Sequence, residues 1–101
     1  GLVLLAHYAP ESQTFMMQRD AGDYPAGRSL EIWMIPEEGD TPISLGLVAE
    51  DGLTQIPMPQ RLAEAMDGAA IAISEEEPGG SPTGKAQGPI LSIAQMAPRD
   101  E

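Results

Sequence analysis

The sequence predicts a mostly β protein, an antiparallel two-sheet β-sandwich of about seven short strands with one short helix. Two observations lead to this fold class. Ten prolines and eleven glycines interrupt the 101-residue chain, at intervals of roughly 8–12 residues that are typical of sandwiches and barrels. The segments between these breaks are short apolar or alternating runs, as expected for strands with one buried face. The length suits one hydrophobic core, so we expect residues 1–101 to form a single domain.

The first third of the chain predicts three strands. Residues 2–8 and 14–18 are the first two, and residues 21–27 (AGDYPAG) predict a turn before the third. The third strand, residues 29–35 (SLEIWMI), alternates, so that successive side chains point to opposite sheet faces. One face carries Leu30, Ile32 and Met34, and the other carries Glu31, Trp33 and Ile35. We expect Trp33 to cover a sheet face or a sheet edge.

The middle of the chain predicts two further strands. Residues 36–42 (PEEGDTP) predict a turn, because two prolines and a Gly-Asp pair cannot continue a central strand. Residues 43–49 predict a strand in which Gly46 lies at a β-bulge or opposite a bulky neighbour. The EDG sequence at residues 50–52 is a hairpin signal, and it predicts that this strand is joined to the next one, residues 53–58.

One helix and two strands complete the predicted fold. Pro59 suits the first position of a helix, and Gly68 suits the left-handed position that follows a helix. Residues 69–75 and 89–96 are the last two predicted strands. The long connection between them is expected to be ordered by its own prolines, which restrict φ and lower the entropy of the unfolded chain.

The charge of the chain restricts its partners. Sixteen acidic residues against five basic ones give a formal net charge of −11. A field of that sign repels phosphate backbones, so we expect no nucleic-acid partner. The acidic residues are spread along the whole chain, which is typical of a solvated surface and not of an acidic tail. The chain contains no cysteine, which excludes disulfides and cysteine-ligated zinc.

No apolar run approaches the ~20 residues that a membrane helix needs. The strongest run, residues 2–6 (LVLLA), has the length of a strand. The chain opens on Gly1 immediately before this run, without an initiator Met. We therefore interpret the sequence as a fragment of a longer protein.

Residues 79–85 (GGSPTGK) match the beginning of a phosphate-binding P-loop, G-x-x-x-x-G-K. Such a loop needs successive backbone N–H donors, a Ser or Thr after the lysine to bind magnesium, and a following helix. Here Ala86 follows the lysine, Pro82 removes one donor, and residues 88–89 (GP) stop any helix within a turn. The three glutamates at residues 75–77 would also repel a triphosphate. We therefore predict no nucleotide site and interpret this segment as a connection between adjacent strands.

Other candidate chemistry is incomplete. His7 is the only histidine, and no G-x-S-x-G motif accompanies it, so we expect no catalytic triad. The acidic segments at residues 37–40 and 49–52 lack the alternating oxygen ligands of a calcium loop. Glu37 and Glu38 would face opposite sides of an extended chain, which excludes a local acid/base pair. The six methionines are expected mainly to fill the core. We predict that the protein is not an enzyme, that it has no catalytic, cofactor-binding or metal-binding residues, and that it needs no cofactor.

Two segments resemble one protein family. Residues 30–48 (LEIWMIPEEGDTPISLGLV) are similar to the Y-E-L-W-L-I … P-x-S-L-G-V segment of the C-terminal extracytoplasmic domain of anti-sigma-K factors. Residues 69–91 (AAIAISEEEPGGSPTGKAQGPIL) are similar to that family's L-A-V-S-x-E-P-x-G-G-S-P-T-G-x-P-T-G-P-V. The segments come in the family's order and spacing, although residues 85–87 depart from its pattern. Residues 1–29 match only in general strand character.

The resemblance implies a regulatory or sensor domain on the extracytoplasmic (periplasmic) side of the cell membrane. In such an anti-sigma factor an N-terminal domain binds an extracytoplasmic-function sigma factor, which it negatively regulates, and a single membrane helix leads to the outer domain. A regulatory protease then releases the sigma factor. Both upstream parts would be absent from residues 1–101. The residues that match the family motifs, which we interpret as structural, are Trp33, Ser44, Leu45, Gly46, Glu77, Pro78, Gly79, Gly80, Ser81, Pro82, Thr83, Gly84, Gly88 and Pro89.

Two other hypotheses belong to different functional classes. The first is an envelope ligand-binding module for a glycan or peptide, with no regulatory role, in which Trp33, Tyr8 and Tyr24 act as stacking platforms. It predicts that the three rings are exposed together on one face. The second is an enzyme that uses His7 with a neighbouring acid.

Overall fold

The computed structural model describes residues 2–37 and 41–95. These residues form two antiparallel sheets, a three-stranded sheet with the order β1-β2-β5 and a four-stranded sheet with the order β4-β3-β6-β7. The predicted mostly β, two-sheet fold with one short helix is confirmed. The elements are β1 (Val3–Ala9), β2 (Thr14–Ala21), β3 (Ser29–Ile35), β4 (Ile43–Leu47), β5 (Leu53–Pro57), α1 (Gln60–Ala65), β6 (Ala70–Glu76) and β7 (Ile90–Gln95).

The hydrophobic core lies between the two sheets. β3 and β6 form the centre of the larger sheet, where Ile32 lies opposite Ile73. The alternation along β3 therefore places its even-numbered side chains inward, as predicted. Burial of each large apolar side chain stabilises the fold by roughly 1.5–3 kcal/mol. The buried cluster consists of Phe15, Met17, Leu30, Ile32, Met34, Val48, Met58, Ala63, Met66, Ala69, Ile71 and Ile73.

The cluster includes four methionines, which agrees with their expected use as core filler, whereas Met96 lies outside the described residues. The short helix α1 contributes Ala63 and Met66 to the same cluster. Pro59 occupies the N-cap of this helix, one position before the predicted one. Gly68 adopts the predicted left-handed conformation, with φ +76°.

The prediction of a hairpin at residues 50–52 is wrong. β4 belongs to the four-stranded sheet, whereas β5 pairs with β2 in the other sheet. The connection therefore crosses from one sheet to the other, and the side chain of Thr54 accepts the N–H of Ala49 at 2.8 Å to hold the crossing. A Gly in a tight turn specifies a reversal of direction, but burial against the core determines which strand the returning segment joins.

Gly46 lies at a β-bulge, as predicted. Ile32 pairs with Gly46 and Trp33 pairs with Ser44, so Leu45 is the extra residue on β4. Gly46 has φ +126°, a left-handed conformation that side chains rarely adopt. The bulge shifts the register within β4, so that Ser44 pairs with Trp33 and its hydroxyl reaches Glu31 on the outer face of β3.

One further boundary differs from the sequence prediction, and one predicted turn lies partly outside the described residues. β2 continues to Ala21, the residue at which a turn was expected. The predicted turn at residues 36–42 includes residues 38–40, which lie outside the described residues, as does Glu38 of the adjacent carboxylate pair. Within residues 2–37 and 41–95, no helix has the length and apolar character needed to cross a membrane.

Candidate functional site

The most elaborate feature of the surface is the β6–β7 loop, residues 77–89, which folds back over the outer face of the four-stranded sheet. That face carries Glu31 and Trp33 of β3 and Ser74 and Glu76 of β6. All four of these residues are buried. β3 is consequently covered on both faces, by the other sheet on the inside and by the loop on the outside.

Glu76 anchors the end of the loop. Its side chain is 1% exposed, and its carboxylate accepts the Ser74 hydroxyl at 2.6 Å, the Gln87 N–H at 3.1 Å and the Gly88 N–H at 3.3 Å. Burial by itself raises the pKa of this carboxyl. The hydrogen bonds from Ser74, Gly88 and Gln87, with a smaller contribution from the charge of Arg28, outweigh it and hold the pKa of Glu76 below its ordinary value. Glu76 is therefore an ionised buried group whose donors all come from the loop or its own strand.

Glu31 anchors the start of the loop in the same way. It is 7% exposed; one carboxylate oxygen accepts the backbone N–H of Ser81 at 2.8 Å, and the other accepts the hydroxyl of Ser44. Gly80 packs directly against this anchor. A Cβ added there would lie 3.1 Å from Glu31 Oε1 and 3.1 Å from Leu47 Cδ2. The lack of a side chain at residue 80 therefore eases the close approach of the loop to the carboxylate.

Gly88 permits a second close approach. A Cβ at this position would overlap the backbone carbonyl oxygen of Glu75. The N–H of Glu75 donates to the carbonyl of Pro89 at 3.0 Å, so the loop joins β6 before β7 begins. The nearby ion pair between Arg28 and Glu75, at 3.4 Å, involves partly exposed side chains and adds little stability.

Trp33 is 2% exposed, beneath the β6–β7 loop. Its indole N–H donates to the hydroxyl of Ser74 at 2.8 Å, and that hydroxyl donates in turn to Glu76. Trp33 lies on the outer face of the four-stranded sheet, in line with the expectation that it covers a sheet face, and the β6–β7 loop covers the ring in turn. A buried hydrogen-bond chain thus leads from the indole through Ser74 and Glu76 to the backbone of Gln87 and Gly88.

The three aromatic rings do not form a common stacking surface. Tyr8 and Tyr24 pack against the core between the sheets, whereas Trp33 lies on the opposite face of β3. The Tyr24 hydroxyl accepts the N–H of Leu30 at 2.8 Å and donates to the carbonyl of Val48 at 3.1 Å, which makes it a structural bridge. The prediction that the rings are exposed together is contradicted, and the stacking hypothesis is lost with it.

The resemblance of the loop to a P-loop has a physical explanation. Backbone N–H groups of a glycine-rich loop do converge on anions here, but the anions are the protein's own carboxylates, Glu31 and Glu76. The N–H of Gly79 is also used, donating to the Ser29 hydroxyl at 3.0 Å. The Ser81 hydroxyl donates to the carbonyl of Lys85, which closes the loop on itself.

The other candidates are far from this site or incomplete. His7 is exposed on β1, at the edge of the three-stranded sheet. Within the described ranges, no group of three or more His, Cys, Asp or Glu side chains could hold a metal ion.

Sequence reasoning missed the two anchors. Glu31 and Glu76 were counted as part of a solvated acidic surface, yet both are buried. A signal did exist for Glu31, since it stands between apolar neighbours in β3 and shares a face with Trp33. Glu76 carries no comparable signal, because it stands between two other glutamates, at 75 and 77, and nothing local marks it as the buried one.

The fold and the site together define the class of protein: an antiparallel two-sheet sandwich in which a glycine-rich loop is held by buried carboxylates. The chain belongs to the family described as anti-sigma-K factor rskA, C-terminal, whose model matches residues 3–90. The resemblance noted at residues 30–48 and 69–91 is confirmed, and the match extends through β1 and β2. In the same comparisons no curated protein and no solved structure matches the chain.

Membership in this family establishes a coarse function. The domain belongs to an anti-sigma regulatory system that acts on transcription, with a sigma factor as the partner. The family is associated with membranes.

Proposed function

We propose that this chain is the extracytoplasmic regulatory and sensor domain of a membrane-anchored anti-sigma factor. In this proposal the whole protein negatively regulates an extracytoplasmic-function sigma factor, and a regulatory protease releases that sigma factor. The observation that carries the proposal is the family match over residues 3–90. An upstream membrane helix and a sigma-binding domain would complete the protein.

The domain acts by folding and binding, without catalysis. The loop that most resembles an active-site motif supports this role, because its amide donors at Ser81, Gln87 and Gly88 are used by Glu31 and Glu76. They are not directed toward a substrate. The enzyme hypothesis would need His7 to work on an exposed edge strand, where no cleft of catalytic groups surrounds it in the described part of the chain.

The proposed mechanism is conformational. A protease needs an extended, accessible segment, and the population of such open states rises as the free energy of unfolding falls. While the sandwich is folded, the segment leading to the membrane is shielded. A signal that loosens the domain, or a ligand that stabilises it, then changes the rate at which the sigma factor is released.

A matched pair of glycines tests this mechanism in the full-length protein. Gly79 and Gly80 both have positive φ, +94° and +98°, so an alanine at either position is strained by the backbone. Only at Gly80 would the added methyl group also press on Glu31 and Leu47, whereas no atom lies within 4 Å of the position at Gly79. We call the two carboxylates, Glu31 and Glu76, together with the loop N–H groups that they hold, the clamp. Gly80→Ala is therefore expected to destabilise the clamp more than Gly79→Ala.

In cells that carry the full-length anti-sigma factor and its sigma factor, a reporter measures sigma-dependent transcription and an immunoblot follows cleavage. Gly80→Ala should raise both transcription and cleavage well above the Gly79→Ala level. Deletion of the domain with no change in either readout would overturn the proposal.

A C-terminal alkaline phosphatase fusion tests the location of the domain. The phosphatase should be active only if the domain lies outside the cytoplasm, and an inactive fusion would contradict the proposed side.

A further inference from the structure

An apolar pocket of about 280 Å³ opens between the β6–β7 loop and the outer face of the four-stranded sheet. Its most buried lining residues are Trp33 and Ala72, which are 2% and 4% exposed and form its floor. Ile35 and Ile90 line it from the sheet, and Lys85 and Ala86 line it from the loop. The pocket is distinct from the carboxylate clamp, which lies farther along the same face.

The size of the pocket restricts its occupant. An apolar cavity of roughly 150 Å³ accommodates benzene, and pockets for drug-sized ligands begin at about 300 Å³. A pocket of about 280 Å³ therefore suits a compact ligand with an apolar body. Its apolar walls offer an aromatic ring and aliphatic groups, and no hydrogen-bonding pattern that would select a sugar.

The charge at the pocket restricts the occupant further. Among the residues that the structure describes, Lys85 is the only charged one in the lining, and it is the only lysine in a chain of net charge −11. Within residues 2–37 and 41–95 the Lys85 side chain forms no ion pair; the ion pair found there joins Arg28 and Glu75. A lysine can lay its aliphatic stem along an apolar wall while its ammonium group stays at the rim. The complementary ligand has an apolar body and a single anionic group.

The pocket is also connected to the clamp. Lys85 and Ala86, which line it, directly precede Gln87 and Gly88, whose N–H groups are held by Glu76. From the floor, the Trp33 indole reaches the same carboxylate through Ser74. A molecule bound here contacts Trp33 at one end of this hydrogen-bond chain, and at the other end Lys85 and Ala86, which directly precede Gln87 and Gly88. By linkage it stabilises the state in which the loop is closed.

We propose that this pocket binds a small amphiphilic carboxylate, with an aliphatic body of about six to eight carbons against Trp33 and Ala72 and its carboxylate facing Lys85. Insofar as such a molecule is the signal of the regulatory domain, the proposal rests on the function proposed above. Binding itself does not depend on that function and is measured on the 101-residue chain alone.

Trp33 provides a direct reporter, because it is the only tryptophan in the chain. Octanoate titrated into the chain should change the Trp33 emission saturably and raise the midpoint of thermal unfolding. Octanol, which has the same aliphatic length without the charge, should bind about two- to fivefold more weakly, as expected for the loss of one partly exposed charge contact. Acetate, which has the charge without the chain, should give no saturable change.

Variants assign the effect to the pocket. Lys85→Gln should weaken octanoate binding about two- to fivefold and leave octanol unchanged, whereas Arg61→Gln, which removes a positive charge from α1, should alter neither. Ala86→Phe fills the pocket from the exposed loop and should abolish both responses. Circular dichroism confirms that each variant is folded, and Ala86→Leu serves if the phenylalanine variant is not.

Two results would overturn the proposal: no saturable response to octanoate, or a response that Lys85→Gln and the Ala86 variant leave intact. These outcomes would leave the regulated release of the sigma factor untouched. A third result would separate the two proposals: octanoate binds saturably in vitro, but in cells neither octanoate nor Lys85→Gln changes sigma-dependent transcription. This would confirm the pocket and overturn its role as the sensor.

Discussion

The carboxylate of Glu31 accepts the backbone N–H of Ser81, fifty residues later in the chain, at 2.8 Å. A second carboxylate, Glu76, holds Gln87 and Gly88 at the other end of the same loop. The β6–β7 loop is thus fixed at two points by acidic side chains that lie on neighbouring strands. The clamp converts an otherwise exposed connection into the outer cover of Trp33.

Replacing Glu31 by Gln should destabilise the fold. The amide keeps one acceptor oxygen for the Ser81 N–H, and its NH₂ group can donate to the Ser44 hydroxyl. The two hydrogen bonds that now go to a charged carboxylate therefore become neutral ones, which are roughly half as strong. We expect a loss of about 1–3 kcal/mol in the free energy of unfolding, measured by urea denaturation. Glu77→Gln removes the same charge from an exposed position and should change stability by less than about 0.5 kcal/mol. Equal effects of the two substitutions would mean that Glu31 does not anchor the loop.

The clamp should weaken in acid because of Glu76. Its pKa in the folded chain lies below the ordinary value for Glu, about 4.3, so the unfolded chain takes up the proton first as the pH falls. The contribution of Glu76 to stability is therefore fully present above about pH 4.3. It is lost as the pH falls through the lower, folded pKa.

A comparison of thermal unfolding midpoints from pH 7 to pH 2 checks this direction. The wild-type chain should be clearly more stable than Glu76→Gln at pH 7, and the difference should shrink as the pH falls below about 4. The difference between wild type and Glu77→Gln should stay small throughout. A difference for Glu76→Gln that remains constant, or that grows in acid, would show that this carboxyl is not held in its ionised form.

Gly88→Ala should be far more damaging than its chemical change suggests. The added methyl group would overlap the carbonyl oxygen of Glu75, so the loop would have to withdraw from β6. We expect a loss of more than about 3 kcal/mol, comparable with the most harmful single substitutions, and broadened signals of β7 in NMR spectra. Gly84→Ala is the control, since its methyl group would meet open space and should cost about 1 kcal/mol through backbone strain. Similar stabilities for the two variants would rule out the close approach at Gly88.

The two tyrosines offer a matched comparison of hydroxyl groups. The Tyr8 hydroxyl is buried without a hydrogen-bond partner in the described part of the chain, whereas the Tyr24 hydroxyl bridges Leu30 and Val48. Tyr8→Phe should leave the free energy of unfolding unchanged or increase it, while Tyr24→Phe should lower it by about 1–2 kcal/mol. The opposite order in urea denaturation would contradict the hydrogen bonds assigned to Tyr24.

The local fold could be predicted from sequence because short-range patterns determine it. The alternation of residues 29–35 gave the strand β3 and both of its faces, and the bulge at Gly46 followed from a glycine within an apolar run. The choice of strand partners has no such local signal. The hairpin predicted at residues 50–52 is wrong, because β5 pairs with β2 in the other sheet.

The clamp was beyond the sequence for the same reason. A glutamate is exposed in most proteins, and Glu76 becomes an exception only because the loop brings two N–H groups to it. The sequence shows only that Gly88 precedes a proline. That a side chain at this position would overlap the carbonyl oxygen of Glu75 is known only from the fold. The family motif marked the loop without revealing that its donors serve buried carboxylates.

Amide hydrogen exchange in the 101-residue chain tests the clamp most directly. The N–H groups of Ser81, Gln87 and Gly88 should exchange as slowly as amides of the central strands, because each is held by a buried carboxylate, while the neighbouring Ala86 N–H should exchange quickly. Glu31→Ala should release Ser81, and Glu76→Ala should release the other two, because alanine leaves no acceptor at either position. Fast exchange at all of these positions in the wild-type chain, at the rate of Ala86, would contradict the clamp and the closed loop that depends on it.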